Sequence, residues 1–427
     1  FYGMQSLLVL YLVGQLLLPG HVESVVGFAR FRAALEGVYG PLSTQALASA
    51  TFGLYASLVY LTPILGGLLA DRWLGRRAAL IAGGVVMSLG HFLMAFEGTF
   101  LLALATLIVG VGLFKGNIAS QVGELYKEGD LRRAMAFQIF YIAINVSVIA
   151  APLVSGTLGE DVGWHYGFGA AGVVMVIGLL IYLKAGPWLP PDNRPGKSTA
   201  AAPREKLTGN DWTRVLAVVV LVPVMAVALL TNQQIFNAYL VWADQQFQLT
   251  FFGRTIPTTW MITIDATLSF SMLVAVAWFW SWRAKTTGTE PDELGKMIIG
   301  SGFTIAGGLC LVIAAATQGG GKIGLFWPVM FHLLNSIGFS HILPVSLALF
   351  TRLAPRQINA TVIGIYYLAF FLANQIVGQV GGWYSTWDTT QFWLFHVATA
   401  AVGLVAFVLF KLFLARRLMG EATPAPA

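Results

Sequence analysis

Two ionisable side chains stand inside long apolar runs, Lys115 in VGVGLFKGNIAS and Asp265 in WMITIDATLSF. An amine at that depth costs at least ~2.5–3.5 kcal/mol to insert, so it must face a cavity or a partner, or snorkel toward the surface marked by Glu124 and Lys127. A carboxyl in hydrocarbon can alternate between a charged and a neutral form, which is the chemistry of a proton carrier. Its other readings are a structural ion pair or a helix cap. In FYIAINVSVIAAP, Tyr141 and Asn145 lie four apart on one helical face, where both can hydrogen-bond a polar ligand or glue two helices together. TNQQIFNAY adds Asn232, Gln233, Gln234 and Asn237, too many amides for a lipid-facing surface. His332 and His341 share one apolar run with Pro344, whose ring frees a backbone carbonyl and permits a bend. Tyr366 and Tyr367 floor a cavity or fill a core.

These groups sit in a chain of 427 residues that is 57% hydrophobic and only 10% charged, which excludes an ordinary soluble enzyme. The fold class is all-α and polytopic. The formal charge of +6 reflects sorting across a membrane rather than nucleic-acid binding. The single cysteine, Cys310, excludes an intrachain disulfide, and no Cys/His cluster suggests a metal site. A membrane enzyme would need a nucleophile, a metal or paired carboxylates inside the bilayer, and one intramembrane acid argues against it.

At about 20 apolar residues per crossing, the chain divides into twelve spans. They fall near 1–19, 46–70, 77–97, 100–123, 133–157, 165–186, 212–241, 256–282, 295–316, 324–351, 358–382 and 391–415. The first opens at Phe1 inside an apolar run and reads as the remainder of a helix. Most of the 25 basic residues fall on one side of this arrangement, which is therefore cytoplasmic together with both termini. The polar, Pro- and Ala-rich stretch 187–211 reads as a cytoplasmic linker between six-helix bundles at 1–186 and 212–427.

Between the second and third spans runs GGLLADRWLGRR, residues 66–77. Gly66 and Gly67 remove side chains where helices approach, and Gly75 lets the backbone reverse. Asp71 lies within reach of Arg72, Arg76 and Arg77. The pattern resembles the signature between the second and third helices of major facilitator superfamily transporters. FYGM with LLVLYL, YLTPILGGLLADRWLGRR, GLFKGNIASQVGELY and FYIAINVSVIAAPLVSGTLGE together resemble the proton-coupled oligopeptide transporter family of that superfamily. LPVSLALFTRLAP and GIYYLAFFLANQIVG match more loosely.

The resemblance implies a symporter that imports di- and tripeptides by alternating access between two six-helix halves. It would be a monomer in the cell (inner) membrane, using protons as the coupling ion and no cofactor. Tyr2, Tyr60, Lys115, Asn145 and, on the same face, Tyr141 would contact peptide, with Lys115 also taking part in proton coupling. Asp71 and Arg76 would form an ion-pair gate, with Pro344 as a hinge. The family's E-x-x-E-R-F run would lie before Phe1. Asn232 stands where the family has an acid, Asp265 where it has asparagine, Phe339 where it has the acid that holds the peptide amine, and Tyr366 where it has a site-lining tryptophan. The C-terminal proton site is therefore expected at Asp265; His341, beside Phe339, is a further proton-coupling candidate whose other reading is a packed, hydrogen-bonded histidine. The rival readings are another small solute, such as nitrate, a drug or a modified peptide, and a substrate sensor without transport.

Overall fold

The computed structural model describes residues 1–126, 130–189, 208–355 and 359–415. Most of the expected linker, at 190–207, lies outside the described residues. The first half of the chain contains α1 (Tyr2–Tyr11), α2 (Phe28–Tyr39), α3 (Thr44–Leu69), α4 (Arg76–Leu93), α5 (Phe100–Glu124), α6 (Leu131–Ala151) and α7 (Trp164–Lys184). The second contains α8 (Gly209–Ala228), α9 (Leu230–Gln233), α10 (Ala238–Gln246), α11 (Trp260–Thr287), α12 (Glu293–Thr317), α13 (Phe326–Leu353), α14 (Asn359–Trp383) and α15 (Thr389–Leu409). A two-stranded hairpin, Thr250–Phe251 with Arg254–Thr255, precedes α11.

Among the described residues, ten helices are long and apolar enough to cross a membrane. The first expected span is the shorter apolar helix Tyr2–Leu16. The third is α4, whose opening turn carries Arg76 and Arg77 and so lowers its hydropathy. The protein is an all-α, multi-pass membrane protein, and with these two the described residues supply a helix for each of the twelve expected spans.

Local chemistry starts several helices within two residues of the expected place. Ser43 caps α3 through the Ala46 N–H, Asp292 caps α12 through Gly295, and Asp388 caps α15 through Thr390 and Gln391. The seventh span departs from expectation. It was expected as one run over 212–241, but α8 stops at Ala228 and the chain passes through α9 and a tight turn before α10. Asn237 sits at that break with φ −124° and ψ −115°. Its Oδ1 accepts from the Ser49 hydroxyl at 2.9 Å and its Nδ2 donates to the Val377 carbonyl at 3.3 Å. Side-chain amides that bond to other segments compete with the helix ladder, which is why the amide-rich stretch is where it breaks.

Contacts divide the chain into two compact units. The first comprises Phe1–Ala200, Ile235–Ala266 and Val377–Thr386. Within it α1 is buried at almost every position, and Tyr11 packs its ring against Phe100, Trp164 and Phe168. The second comprises Ala201–Gln234, Thr267–Ile376 and Trp387–Ala427. Its core is built on α12, α13 and α15, with Phe331, Phe350, Phe392 and Phe407 wholly buried.

The tight crossing in the first unit is α3 on α5. A Cβ on Gly66 would overlap the Gly112 carbonyl oxygen, whereas one on Gly67 would meet nothing within 4 Å. Only the first of the two expected glycines is therefore a contact point. Thr62 Oγ1 donates to the Ile108 carbonyl at 3.1 Å, and Asn117 Nδ2 donates to the Gly66 carbonyl at 3.4 Å, fastening the same crossing. Gly66→Ala is accordingly expected to cost at least about 1–3 kcal/mol by overpacking and to lower the melting temperature in detergent, while Gly67→Ala leaves it unchanged. Equal melting temperatures for the two variants would refute this account of the crossing. Beyond a widened helical turn at Ala70–Leu74, Gly75 adopts φ 78°, so the expected backbone reversal is present.

Candidate functional site

In the first unit, α5 carries Lys115, α3 carries Tyr60, and α1 begins at Tyr2. The close α3–α5 crossing sets Lys115 against Tyr60, with its Nζ 4.3 Å from that ring's centroid and 6.0 Å from the ring of Phe1. Phe1 in turn meets Tyr2 edge-on at 5.2 Å. The structure thus brings Tyr60 and Lys115 together beside Phe1, the chain neighbour of Tyr2. Among the described residues, no carboxylate forms an ion pair with Lys115, and aromatic faces stabilise its charge instead. An amine held by rings rather than by a protein acid is available to an incoming carboxylate.

On α6, Asn145 Nδ2 donates to the Tyr141 carbonyl at 2.8 Å, the bond expected of residues one turn apart. Tyr141 is 59% exposed and Asn145 half-buried. Asp265 lies in the second turn of α11 and is 9% exposed. It does not cap α11. That position is filled by Glu160, whose two carboxylate oxygens accept from the Thr258 N–H at 2.6 Å and the Thr259 N–H at 2.9 Å. Thr258 Oγ1 donates to Asp244 at 2.9 Å, and the Trp260 indole donates to Thr157 at 3.0 Å. Gln45 Nε2 donates to the Gly381 carbonyl at 3.0 Å, and the Tyr384 hydroxyl donates to Gln245 at 2.9 Å. A polar belt therefore closes the end of this unit away from the basic turn.

Removing the Glu160 side chain strips two backbone donors of their acceptor, each worth about 1–3 kcal/mol when buried. Glu160→Ala is expected to lower the melting temperature in detergent, with Glu160→Gln, which keeps one acceptor oxygen, in between. An unchanged alanine variant would rule this role out.

At the basic end, Arg76 reaches Asp71 at 3.5 Å and also pairs closely with Glu124. Asp71 and Arg76 are thus brought together as expected, with Glu124, 48 residues on, as an additional partner. The pairs are part-exposed, so each contributes no more than about 1 kcal/mol. Ion pairs of that strength can be broken and remade.

In the second unit, Asn232 Oδ1 accepts from Gln233 Nε2 at 3.2 Å, while Gln233 Oε1 accepts from Asn374 at 3.2 Å. Tyr366 is almost fully buried, its hydroxyl bonded to Ser346 at 3.1 Å and to the Leu343 carbonyl at 3.2 Å. A substrate contact there would require the ring to leave this network. Pro344 lies within α13, one turn after Ser340. His341 Nε2 accepts from the Trp280 indole at 2.9 Å, and its Nδ1 meets the Ile337 carbonyl at 2.8 Å. With one nitrogen accepting and the other donating, the ring is neutral and fully engaged in this arrangement.

Glu124, Glu160, Asn374 and Trp280 were not singled out as functional from the sequence. The only available signals were two acids at helix ends, an amide in an apolar helix and a tryptophan beside basic residues. None of them names its partner.

A family model described as Major Facilitator Superfamily matches residues 16–378. The peptide transporter YePEPT of Yersinia enterocolitica is 31% identical over an alignment that covers 90% of this chain and 84% of that protein. A di-/tripeptide transporter of Lactococcus lactis subsp. cremoris is 25% identical, with 99% and 93% covered. Among solved structures, that of a peptide transporter POT in complex with sulfate has a TM-score of 0.84 at 24% identity, covering 98% of this chain and 92% of that one. A POT family transporter in complex with 5-aminolevulinic acid has a TM-score of 0.78 at 20% identity, covering 96% and 92%. At those identities the structures speak for the fold alone. With the family model spanning most of its length and a relative above 30% identity along nine-tenths of it, the chain belongs to the Major Facilitator Superfamily, in the proton-coupled oligopeptide transporter family.

Proposed function

We propose that this protein is a proton-coupled symporter that imports di- and tripeptides by alternating access. The observation that carries the reading is the Lys115 amine, held over Tyr60 by the α3–α5 crossing and ion-paired to no acid among the described residues. An ammonium there recognises one end of any short peptide, its carboxylate, without reading side chains. The named activities of the Yersinia and Lactococcus relatives agree with that chemistry.

In this mechanism the peptide carboxylate docks on Lys115 while Tyr2, Tyr60, Tyr141 and Asn145 hydrogen-bond its backbone. Asp265 takes and releases the proton. In the second unit, Asn232 offers a neutral polar contact, and Pro344 gives α13 a hinge where the backbone carbonyl of Ser340 lacks its helical donor. The Asp71–Arg76–Glu124 group opens and closes one face, and the Glu160 belt the other. Ligand and proton bias the transition only through contacts that differ between the two states. The protein lies in the cell (inner) membrane as a monomer, with Arg72, Arg76 and Arg77 on the cytoplasmic side.

The test is uptake of a labelled dipeptide into proteoliposomes under an imposed pH gradient, with unlabelled dipeptide as competitor. Gradient-dependent, competable uptake is expected. Binding without uptake or counterflow would instead identify a sensor, and uptake that peptides do not compete would identify a different solute.

A further inference from the structure

A cavity of about 530 Å³ opens in the second unit between α11, the start of α12 and α13. One wall is a helical stripe of Leu273, Val276 and Ala277. The mouth carries Lys285, Glu290 and Lys296 at the basic end of the unit. Trp280 divides the apolar wall from the charged mouth. Its indole edge is fixed by the 2.9 Å bond to His341, and two cations approach its ring, Lys296 at 5.7 Å and Arg283 at 5.8 Å.

The charge at the mouth is unbalanced. Among the described residues, the lining cations Lys285 and Lys296, with Arg283 nearby over Trp280, meet one lining acid, Glu290, which pairs with Lys296. The next two acids along the chain are taken by other cations, Asp292 by Lys411 and Glu293 by Arg352. Among the described residues, Lys285 forms no ion pair and is exposed. On the same helix Trp278 and Trp282 are 66% and 51% exposed and stack at 6.3 Å, as aromatic side chains do at the level of lipid headgroups. The cavity therefore joins an apolar wall to a cationic rim at the depth of a membrane surface. A soluble anion would use only the rim, and a neutral lipid only the wall.

We propose that this cavity binds one anionic glycerophospholipid of the cytoplasmic leaflet, with its phosphate at Lys285 and Lys296 and its acyl chains along Leu273, Val276 and Ala277. Basic recesses between transmembrane helices on this side are suited to such headgroups. The site is independent of the transported substrate.

The experiment is native mass spectrometry of the delipidated full-length protein in detergent, titrated with phosphatidylglycerol or phosphatidylcholine. One phosphatidylglycerol is expected to be retained in preference to phosphatidylcholine. Lys285→Gln with Lys296→Gln should weaken its retention by about 30-fold, and Glu290→Gln should tighten it by about fivefold, at roughly a fivefold change per charge. If the double variant does not fold, Glu290→Gln decides alone. Equal retention of the two lipids, or no response to these charge changes, overturns the proposal. Displacement by millimolar inorganic phosphate would mark a site for soluble anions, and displacement by a dipeptide would mark part of the transport path; either result also overturns it.

Discussion

Replacing Lys115 with alanine is expected to lower proton-driven dipeptide uptake about 100-fold, a loss of about 3 kcal/mol, within the range for removing one partner of a desolvated charge pair. The amine meets the rings of Tyr60 and Phe1 and, among the described residues, pairs with no acid. Its removal leaves no buried protein carboxylate stranded, so the folded state should survive while a substrate carboxylate loses its counter-charge. Lys115→Arg keeps the charge but exchanges a compact ammonium for a planar fork, and is expected to restore binding only in part. Melting temperature in detergent and equilibrium binding of labelled dipeptide separate the effects. An alanine variant that binds and transports normally would remove Lys115 from the substrate site.

The second large effect is expected at Asp265. Asparagine has nearly the same size and can still hydrogen-bond, but it cannot lose or gain a proton in the transport cycle. Asp265→Asn should abolish accumulation driven by a pH gradient while leaving peptide counterflow within about threefold of wild type, because counterflow needs only the loaded carrier to reorient. The residue is buried, yet Glu160 rather than Asp265 holds the N–H groups of Thr258 and Thr259 at the head of α11. Undiminished gradient-driven uptake by Asp265→Asn would sink the assignment, and loss of both activities would make the residue structural.

Lys115 and Tyr60 stand 55 positions apart, yet both lie in motifs with a recognisable pattern, and the structure joins them through Gly66 and Gly112. Asp71 and Arg76 are neighbours in one turn, so their pairing was legible; Glu124 completes the group only because α5 returns to the same end. The sequence left His341 open to two readings, a proton relay or a packed, hydrogen-bonded ring. In the folded chain its ring is engaged with Trp280 and Ile337. The unbroken seventh span was the clearest departure, because hydropathy counts Asn and Gln by polarity and ignores which distant carbonyls they reach.

The apolar spans, their order and the presence of an amine within one of them were determined by the sequence itself. These are local properties: about 20 apolar residues make a span, a Ser or Asp before it caps the helix, and insertion of a charge is costly wherever it occurs. Tertiary structure decided which groups meet. Glu160 finds the head of α11 from 98 residues away, and Trp280 reaches His341 across 61. A hydrogen bond between distant segments depends on the angle and depth at which two helices cross, and those are set by steric fit at points such as Gly66 on Gly112, which no single segment encodes.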